Sequence, residues 1–413
     1  MIKETKNLTI KPGYKKTPIG IIPEEWVVKN FGDFLEFKNG VNASKKDYGK
    51  GVKFINVLEV ITNLSLTNEE IPGEVEITEK QFERYKVEKG DILFNRTSET
   101  QEEIALSSVY LDDYPTVFGG FVIRGRFIKD FYLNAFKKYI FRNPDVRKQM
   151  ISKGQGAVRV NIGQSDLEKI STPIPPLPEQ KAIADCLSTW DKGIEKLTAL
   201  IQSKKEQKKG LMQGFFSGKL KVENGELIQA KEGEDFTKGW KKIELKEILT
   251  YEQPTKYLSN NFNDLLNENK VPVLTANKSF VLGYTDENVG IYNKLPVIIF
   301  DDFTTASRLV DFSFKVKSSA IKFLQTKSNF NIYFIFERLQ LIKIDTTTHK
   351  RRWISEFENM VLSIPTIMEQ NAFAQFIQTA DKEIELLEQK LEAFKIQKKG
   401  LMQVLLTGTK RLV

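Results

Sequence analysis

Side chains able to do covalent or metal chemistry are scarce in this chain. One histidine, His349, and one cysteine, Cys186, occur in 413 residues. A zinc site needs three or four such ligands, and an imidazole-activated nucleophile needs a histidine beside its serine or cysteine. Both chemistries therefore have almost no place here, and His349 reads as a polar loop residue. A lone cysteine also rules out internal disulfides and fits a reducing compartment. Carboxylates and lysines remain. Pro144-Asp145 with Glu179-Gln180-Lys181 has the outline of a metal nuclease motif, but its second part falls at a helix entry, where a structural role is the simpler reading. The sequence has no Asp/Asn-Pro-Pro-aromatic run to hold an exocyclic amine. It also has no glycine-rich methyl-donor loop and no G-x-x-x-x-G-K-[ST] phosphate cradle. The expectation is a chain that carries no metal or cofactor and catalyses nothing itself.

Charge and composition narrow the class. The 62 Lys and Arg outnumber the 54 Asp and Glu, giving a net charge of +8. That modest excess tilts toward a polyanionic partner without proving one. The densest basic cluster is His349-Lys350-Arg351-Arg352-Trp353. With 40% apolar and 28% charged residues, the chain reads as soluble and globular, and its length calls for two or more cores. No apolar run is long enough to cross a bilayer, and Met1-Ile2-Lys3-Glu4-Thr5-Lys6 lacks the apolar core of a secretion signal, so a cytoplasmic location is expected.

What must position any binding residues emerges when the chain is compared with itself. Residues 174–221 align without a gap to 364–411, at a shift of 190. Ile174-Pro175 matches Ile364-Pro365, Glu179-Gln180 matches Glu369-Gln370, and Asp191-Lys192 matches Asp381-Lys382. The stretch 207–213, Gln-Lys-Lys-Gly-Leu-Met-Gln, recurs letter for letter at 397–403, and Gly218 pairs with Gly408. The chain is a duplication. In the first copy Ile183, Leu187, Trp190, Ile194, Leu197 and Ile201 recur at steps of four and three, and in the second Phe373, Ile377, Ala380, Ile384, Leu387, Leu391 and Phe394 do the same. This is the seam pattern of a coiled coil. Pro178 suits a helix start, and Gly218 and Gly408 suit left-handed caps. A helix of thirty-odd residues, roughly 50 Å long, would expose its stripe alone, so the two copies are expected to bury theirs against each other.

Between the helices the repeat is faint. Trp26 ahead of Phe31, Phe34 and Leu35 resembles Trp240 ahead of Leu245, Ile248 and Leu249. Strand-like runs follow at 52–57 and 91–94 in the first half and at 271–275 and 297–300 in the second. The reading is α+β: an extension 1–19, a mixed α/β block 20–173, a helical region 174–221, a linker 222–235, a second block 236–363 and a helical region 364–413. The two blocks are expected to be related by a pseudo-twofold duplication and held on two long antiparallel helices.

Specific motifs now resemble a known family, the specificity subunits of type I restriction–modification systems. They are Ile174-Pro-Pro-Leu-Pro-Glu-Gln180 and its weaker copy Ile364-Pro-Thr-Ile-Met-Glu-Gln370, Lys209-Gly-Leu-Met-Gln213 with Ser217-Gly-Lys219, and Lys399-Gly-Leu-Met-Gln403 with Leu406-Thr-Gly408. The first block adds Phe54-Ile-Asn-Val57, Lys89-Gly-Asp-Ile-Leu-Phe94 and Gly154-Gln-Gly156. The second departs from the pattern, with Leu295-Pro-Val-Ile-Ile-Phe300 where the family has Gly-Asp-Ile-Leu-Phe. The resemblance implies a non-catalytic subunit that binds two half-sites of double-stranded DNA across an unread spacer. It also implies two methyltransferase subunits using S-adenosylmethionine and two restriction subunits using ATP and Mg²⁺ as partners.

Base edges are read by amides and guanidinium groups, while cations and backbone N–H groups hold phosphates. In the first block the candidates are Asn42, Lys45 and Lys46; Asn95, Arg96 and Thr97; and Lys153, Gln155, Arg159 and Asn161. In the second they are Asn277 and Lys278, Thr304 and Arg308, and Lys350, Arg351 and Arg352. The repeated helix ends supply candidate partner contacts, Lys208, Lys209, Leu211, Met212 and Gln213 with Lys398, Lys399, Leu401, Met402 and Gln403. The competing reading for their lysines is complementation of the helix C-terminal dipole.

Overall fold

The structure is a computed structural model that describes residues 10–156, 158–263, 270–277, 279–342 and 350–412. The chain divides into two compact units, Met1–Leu197 with Lys390–Val413, and Thr198–Gln389. Two long helices, Leu177–Phe216 and Ile367–Leu405, each begin in one unit and end in the other. They are 40 and 39 residues long, at the upper end of the length expected.

In the first unit a five-stranded sheet runs in the order Leu35–Asn39, Val122–Phe127, Ile92–Asn95, Ser107–Tyr110, Ser65–Leu66. A four-stranded sheet runs Glu74–Val75, Tyr48–Ile55, Thr116–Phe118, Lys86–Val87. Ile92, Leu93 and Phe94 are all buried, as a strand covered on both faces requires. Aromatic rings dominate the core: Trp26, Phe31, Phe34, Phe94 and Phe141 pack with Ile183 and Leu187 of the first long helix, with Leu405 at the end of the second and with Leu406 just past it. The head is thereby fused to its helices by a shared apolar core.

The second unit repeats this topology although the sequences of the two heads match only faintly. Leu249–Glu252 pairs antiparallel with Ile321–Thr326 as Leu35–Asn39 does with Val122–Phe127. Val271–Leu274 pairs parallel with Lys315–Val316 as Tyr48–Ile55 does with Thr116–Phe118. A clasp of Lys241–Glu244 on Val361–Ile364 matches that of Val27–Asn30 on Ser171–Ile174. Both heads are thus mixed sheets with short helices, the α+β duplication read from the sequence.

The helices pair antiparallel within each unit, and the seam residues do the packing. In the first unit the Trp190 and Phe394 rings meet at 5.4 Å, and Arg411 reaches back to Glu179. In the second, Phe215 stacks on Phe373 at 4.0 Å and Lys204 pairs with Glu383 at 2.7 Å. Both helices end on a left-handed glycine, Gly218 at φ +72° and Gly408 at φ +71°. No helix among the described residues is long and apolar enough to cross a membrane.

Two boundary segments carry structure that composition did not reveal. Within the extension and its border, Tyr14–Thr17 pairs with Gly20–Pro23, and the Tyr14 hydroxyl donates to the Gly408 carbonyl at 2.9 Å. The stretch read as a linker contributes to a hairpin, Leu220–Glu223 with Glu226–Gln229, whose Val222 joins the second unit's core.

Candidate nucleic-acid interface

In the first unit, three loops separate in sequence converge at one end of the sheets. Val41 N–H donates to the Phe118 carbonyl at 2.9 Å, which brings exposed Asn42 beside the turn after Thr116–Phe118. Arg96 holds the same turn, donating through its backbone N–H to Phe121 O at 2.9 Å and through Nη1 to Gly120 O at 3.2 Å. Thr97 pairs with Asn161 in register, and its hydroxyl donates to Asn161 Oδ1 at 2.7 Å. Asn161 in turn exchanges two backbone hydrogen bonds with Gln155. Gly156 closes this loop at φ +127°, where an added Cβ would lie 2.1 Å from Arg159 O. Gln155 and Arg159 are left exposed beside it. Lys153 ends the helix Pro144–Lys153 and is exposed, as are Lys45 and Lys46 on a single 3-10 turn.

The second unit gathers its own three segments. Asn277 accepts from the Thr304 hydroxyl at 3.0 Å, and Arg351 lies over the Phe303 ring at 5.8 Å. Arg308, exposed on Ser307–Val310, lies over Phe280 at 5.8 Å. Lys350 is exposed and pairs with Glu356. Lys278 and His349 lie outside the described residues.

Two candidates are corrected by their burial. Asn95 is 1% exposed; its Nδ2 donates to Glu103 O at 3.2 Å and its Oδ1 accepts from Thr97 N–H at 3.1 Å. Arg352 is also 1% exposed, paired with Glu356 at 3.0 Å and donating its backbone N–H to Asp302. Each shapes the loop from inside and has no surface with which to touch a base.

Asn95 has a counterpart in the second block, at the residue that follows Phe300 as Asn95 follows Phe94. Asp301 ends its strand as Asn95 does, and its carboxylate accepts from Phe303 N–H at 3.0 Å and Thr304 N–H at 2.8 Å. Both loops then close on a left-handed residue: Ala105 at φ +53° donates to Asn95 O, and Thr305 at φ +60° donates to Asp301 O. The signal that sequence reasoning missed in the first block is Gly119-Gly120-Phe121, a glycine pair between apolar runs that marks the turn joining the loops.

The helix-end candidates divide in two. Lys208 bridges Asp381 at 2.7 Å and Glu337 at 2.8 Å, and Lys398 pairs with Asp191, which also accepts from the Tyr139 hydroxyl at 2.5 Å. The shift of 190 turns one pair into the other: Asp191 into Asp381, Lys208 into Lys398. These lysines therefore tie helix to helix, which is neither the partner role nor the dipole role expected. Met212 is corrected too, being core, while Leu211, Leu401 and Met402 are half-buried. Lys209, Gln213, Lys399 and Gln403 are exposed. Burial pushes the Asp191 carboxyl up, but hydrogen bonds from Lys398 and Tyr139 outweigh it and hold the group below the usual carboxylate range. Glu337 goes the other way: burial raises it, and Lys208 offsets only part of that.

Among the described residues no group of three or more His, Cys, Asp or Glu is placed to hold a metal ion. Two heads of one topology, each with a loop cluster and each fused to an antiparallel helix pair, define a class of duplicated binding protein. Residues 23–205 and 237–395 match the family model described as type I restriction modification DNA specificity domain, and the chain belongs to that family. It is 25% identical over 425 residues to the type I restriction enzyme MjaX specificity subunit of Methanocaldococcus jannaschii, covering 97% of each chain. It is 44% identical over 131 residues to the EcoR124I/EcoR124II specificity subunit of Escherichia coli, a match spanning 30% of this chain and 32% of that one. The fold is similar to the crystal structure of the S subunit from M. genitalium, with a TM-score of 0.54 at 16% identity over 92% of this chain and 96% of that one. The chain is thus a type I restriction–modification specificity subunit with DNA-recognition domains.

Proposed function

We propose that this subunit reads a bipartite, asymmetric DNA target, one half with residues 20–173 and the other with 236–363, and performs no catalysis itself. The observation that carries the reading is the convergence, in each unit, of three loops bearing amides and cations: Asn42, Arg96, Gln155, Arg159 and Asn161 in the first; Asn277, Thr304, Arg308 and Arg351 in the second. Because the two sets differ, each head has its own half-site. Lys45, Lys46, Lys153 and Lys350 would hold phosphates, fixing register without reading sequence.

The paired helices act as a ruler for the spacer between half-sites and as a scaffold for two methyltransferase subunits and, with them, restriction subunits. A 40-residue helix is about 60 Å long, enough to hold readers on half-sites roughly 34–36 Å apart. Support for docking comes from Gly210 and Gly400, exposed in helix interiors at equivalent positions with nothing within 4 Å of an added Cβ. Glycine there weakens a helix by about 1 kcal/mol relative to alanine, and no internal contact requires it.

Methylated adenines mapped in a host carrying this chain with its methyltransferase test the reading. Replacing residues 20–173 should change one half of the motif only. Four residues, one turn, inserted after both Leu200 and Lys390 should lengthen the spacer and leave both halves intact. Changes in both halves from the first exchange, or altered half-sites with an unaltered gap from the second, would count against it.

A further inference from the structure

The turn that joins the first head's loops carries an exposed ring with no structural task. Gly119-Gly120-Phe121 connects Thr116–Phe118 to Val122–Phe127. Glycine is enforced at Gly40, where an added Cβ would lie 2.2 Å from Gly119 O, and Gly120 lies so close to the Asn42 side chain that an added Cβ would have to displace it. Arg96 pins the turn from the other side by its two hydrogen bonds to Gly120 and Phe121 carbonyls. A backbone held this closely has little freedom, yet it keeps Phe121 62% exposed. Leu58 at 63% and Tyr48 at 44% stand out beside it, and the three line, with Asn42, a hollow of about 270 Å³.

An apolar hollow rimmed by polar groups marks a binding surface. The rim identifies the occupant. Asn42 brings an amide to the lining, and Lys45 and Lys46, both exposed, lie on the short segment that runs between the lining residues Asn42 and Tyr48. A polyanion with one apolar recognition point fits that combination. In the major groove of DNA, thymine alone offers one, its 5-methyl group.

We propose that the hollow between Phe121, Leu58 and Tyr48 receives the methyl group of a thymine in the half-site read by the first head. The assignment rests on the DNA-reading role above and adds a specificity-determining residue, Phe121. The preorganised turn supplies the reason for its precision: the ring is already in place, so little ordering cost opposes contact.

The test uses the full chain in complex with its methyltransferase partner and duplexes in which half-site thymines are replaced singly by deoxyuridine, removing only the methyl. At one position the wild-type complex should lose about fourfold in affinity, the worth of one buried methyl group. Phe121→Ala should be indifferent to that replacement while still reading the other half-site, and Leu58→Ala should show a reduced effect. A half-site without thymine, or a uracil effect of equal size in Phe121→Ala, overturns the proposal. So does weaker assembly of Phe121→Ala with the methyltransferase at an unchanged uracil effect, which would make the hollow a protein-docking surface. A wild-type complex with no sequence preference at all would instead sink the DNA-reading role itself, and this inference with it.

Discussion

The Gln180 side chain accepts the backbone N–H of Leu133 at 2.9 Å, pinning the first head to the start of its long helix. Its amide nitrogen donates to the carbonyls of Phe131 and Pro175, each at 2.9 Å. Gln370, the residue 190 positions on, accepts Asn331 N–H at 2.9 Å and donates to Pro365 O at 3.0 Å. A glutamine retained in both copies is thus a buckle between head and helix. Gln180→Ala and Gln370→Ala each strip partners from buried backbone groups, and each should cost about 1–3 kcal/mol in denaturant unfolding. A loss well under 1 kcal/mol at both sites would refute the buckle.

Two carboxyls that pair with the helix-end lysines, Asp191 on Lys398 and Glu337 on Lys208, should respond to pH with opposite signs. Asp191 has a lowered pKa, so its stabilising contribution is complete above the ordinary carboxylate value and is lost as pH falls through the lowered one. Asp191→Asn should therefore be less stable at neutral pH, with a shallower acid limb in its unfolding midpoint. An unchanged acid limb would show that the pair contributes nothing.

Glu337 has a raised pKa, so its protonated form favours folding and stability declines as pH rises from the ordinary value through the raised one. Lys208→Met removes the cation that offsets this burial. The variant should lose up to roughly 3 kcal/mol at neutral pH and recover part of it as the medium is acidified toward the carboxylate range. Stability that falls further on mild acidification would contradict the assignment.

Alanine at the two open helix glycines separates folding from assembly. Gly210→Ala and Gly400→Ala should each raise the stability of the isolated chain by about 1 kcal/mol through helix propensity. They should also weaken its capture of methyltransferase subunits in sedimentation or calorimetry. Undiminished assembly would mean that no partner approaches these backbones.

Phosphate-holding and base-reading residues are distinguished by salt. Lys45→Ala and Lys46→Ala should weaken binding to every sequence alike, each lowering the logarithmic salt slope by about 0.9 if it neutralises one phosphate. Arg351→Ala should instead relax one half of the target. A specificity change from the lysine variants would reverse these roles.

Much of the architecture is written in the sequence because duplication and seam periodicity act over dozens of residues. The positions Ile183 to Ile201 and Phe373 to Phe394 are read from spacing alone, as are the glycine caps. That the heads are duplicates is also read from the sequence, but their strand order is not, since pairing between distant strands leaves no local pattern in runs such as Leu295-Pro-Val-Ile-Ile-Phe300. Exposed and buried polar residues also look alike in a sequence. Asn95-Arg96-Thr97 spells one polar run, but Asn95 is the last residue of a strand covered on both faces, whereas Arg96 lies beyond its end at the rim. Likewise, Lys208 and Lys209 are neighbours with different neighbourhoods, one clamped between two carboxylates and one in solvent.

The left-handed residues Ala105 and Thr305 shut loops of different length onto the same strand-end frame. A closure that depends on two backbone hydrogen bonds and one sign of φ is indifferent to what lies between. Such a hinge point would let the intervening segment lengthen, shrink or be exchanged wholesale while the sheet beneath stays folded; on the proposed reading, a new target preference would then require grafting a loop rather than rebuilding a domain.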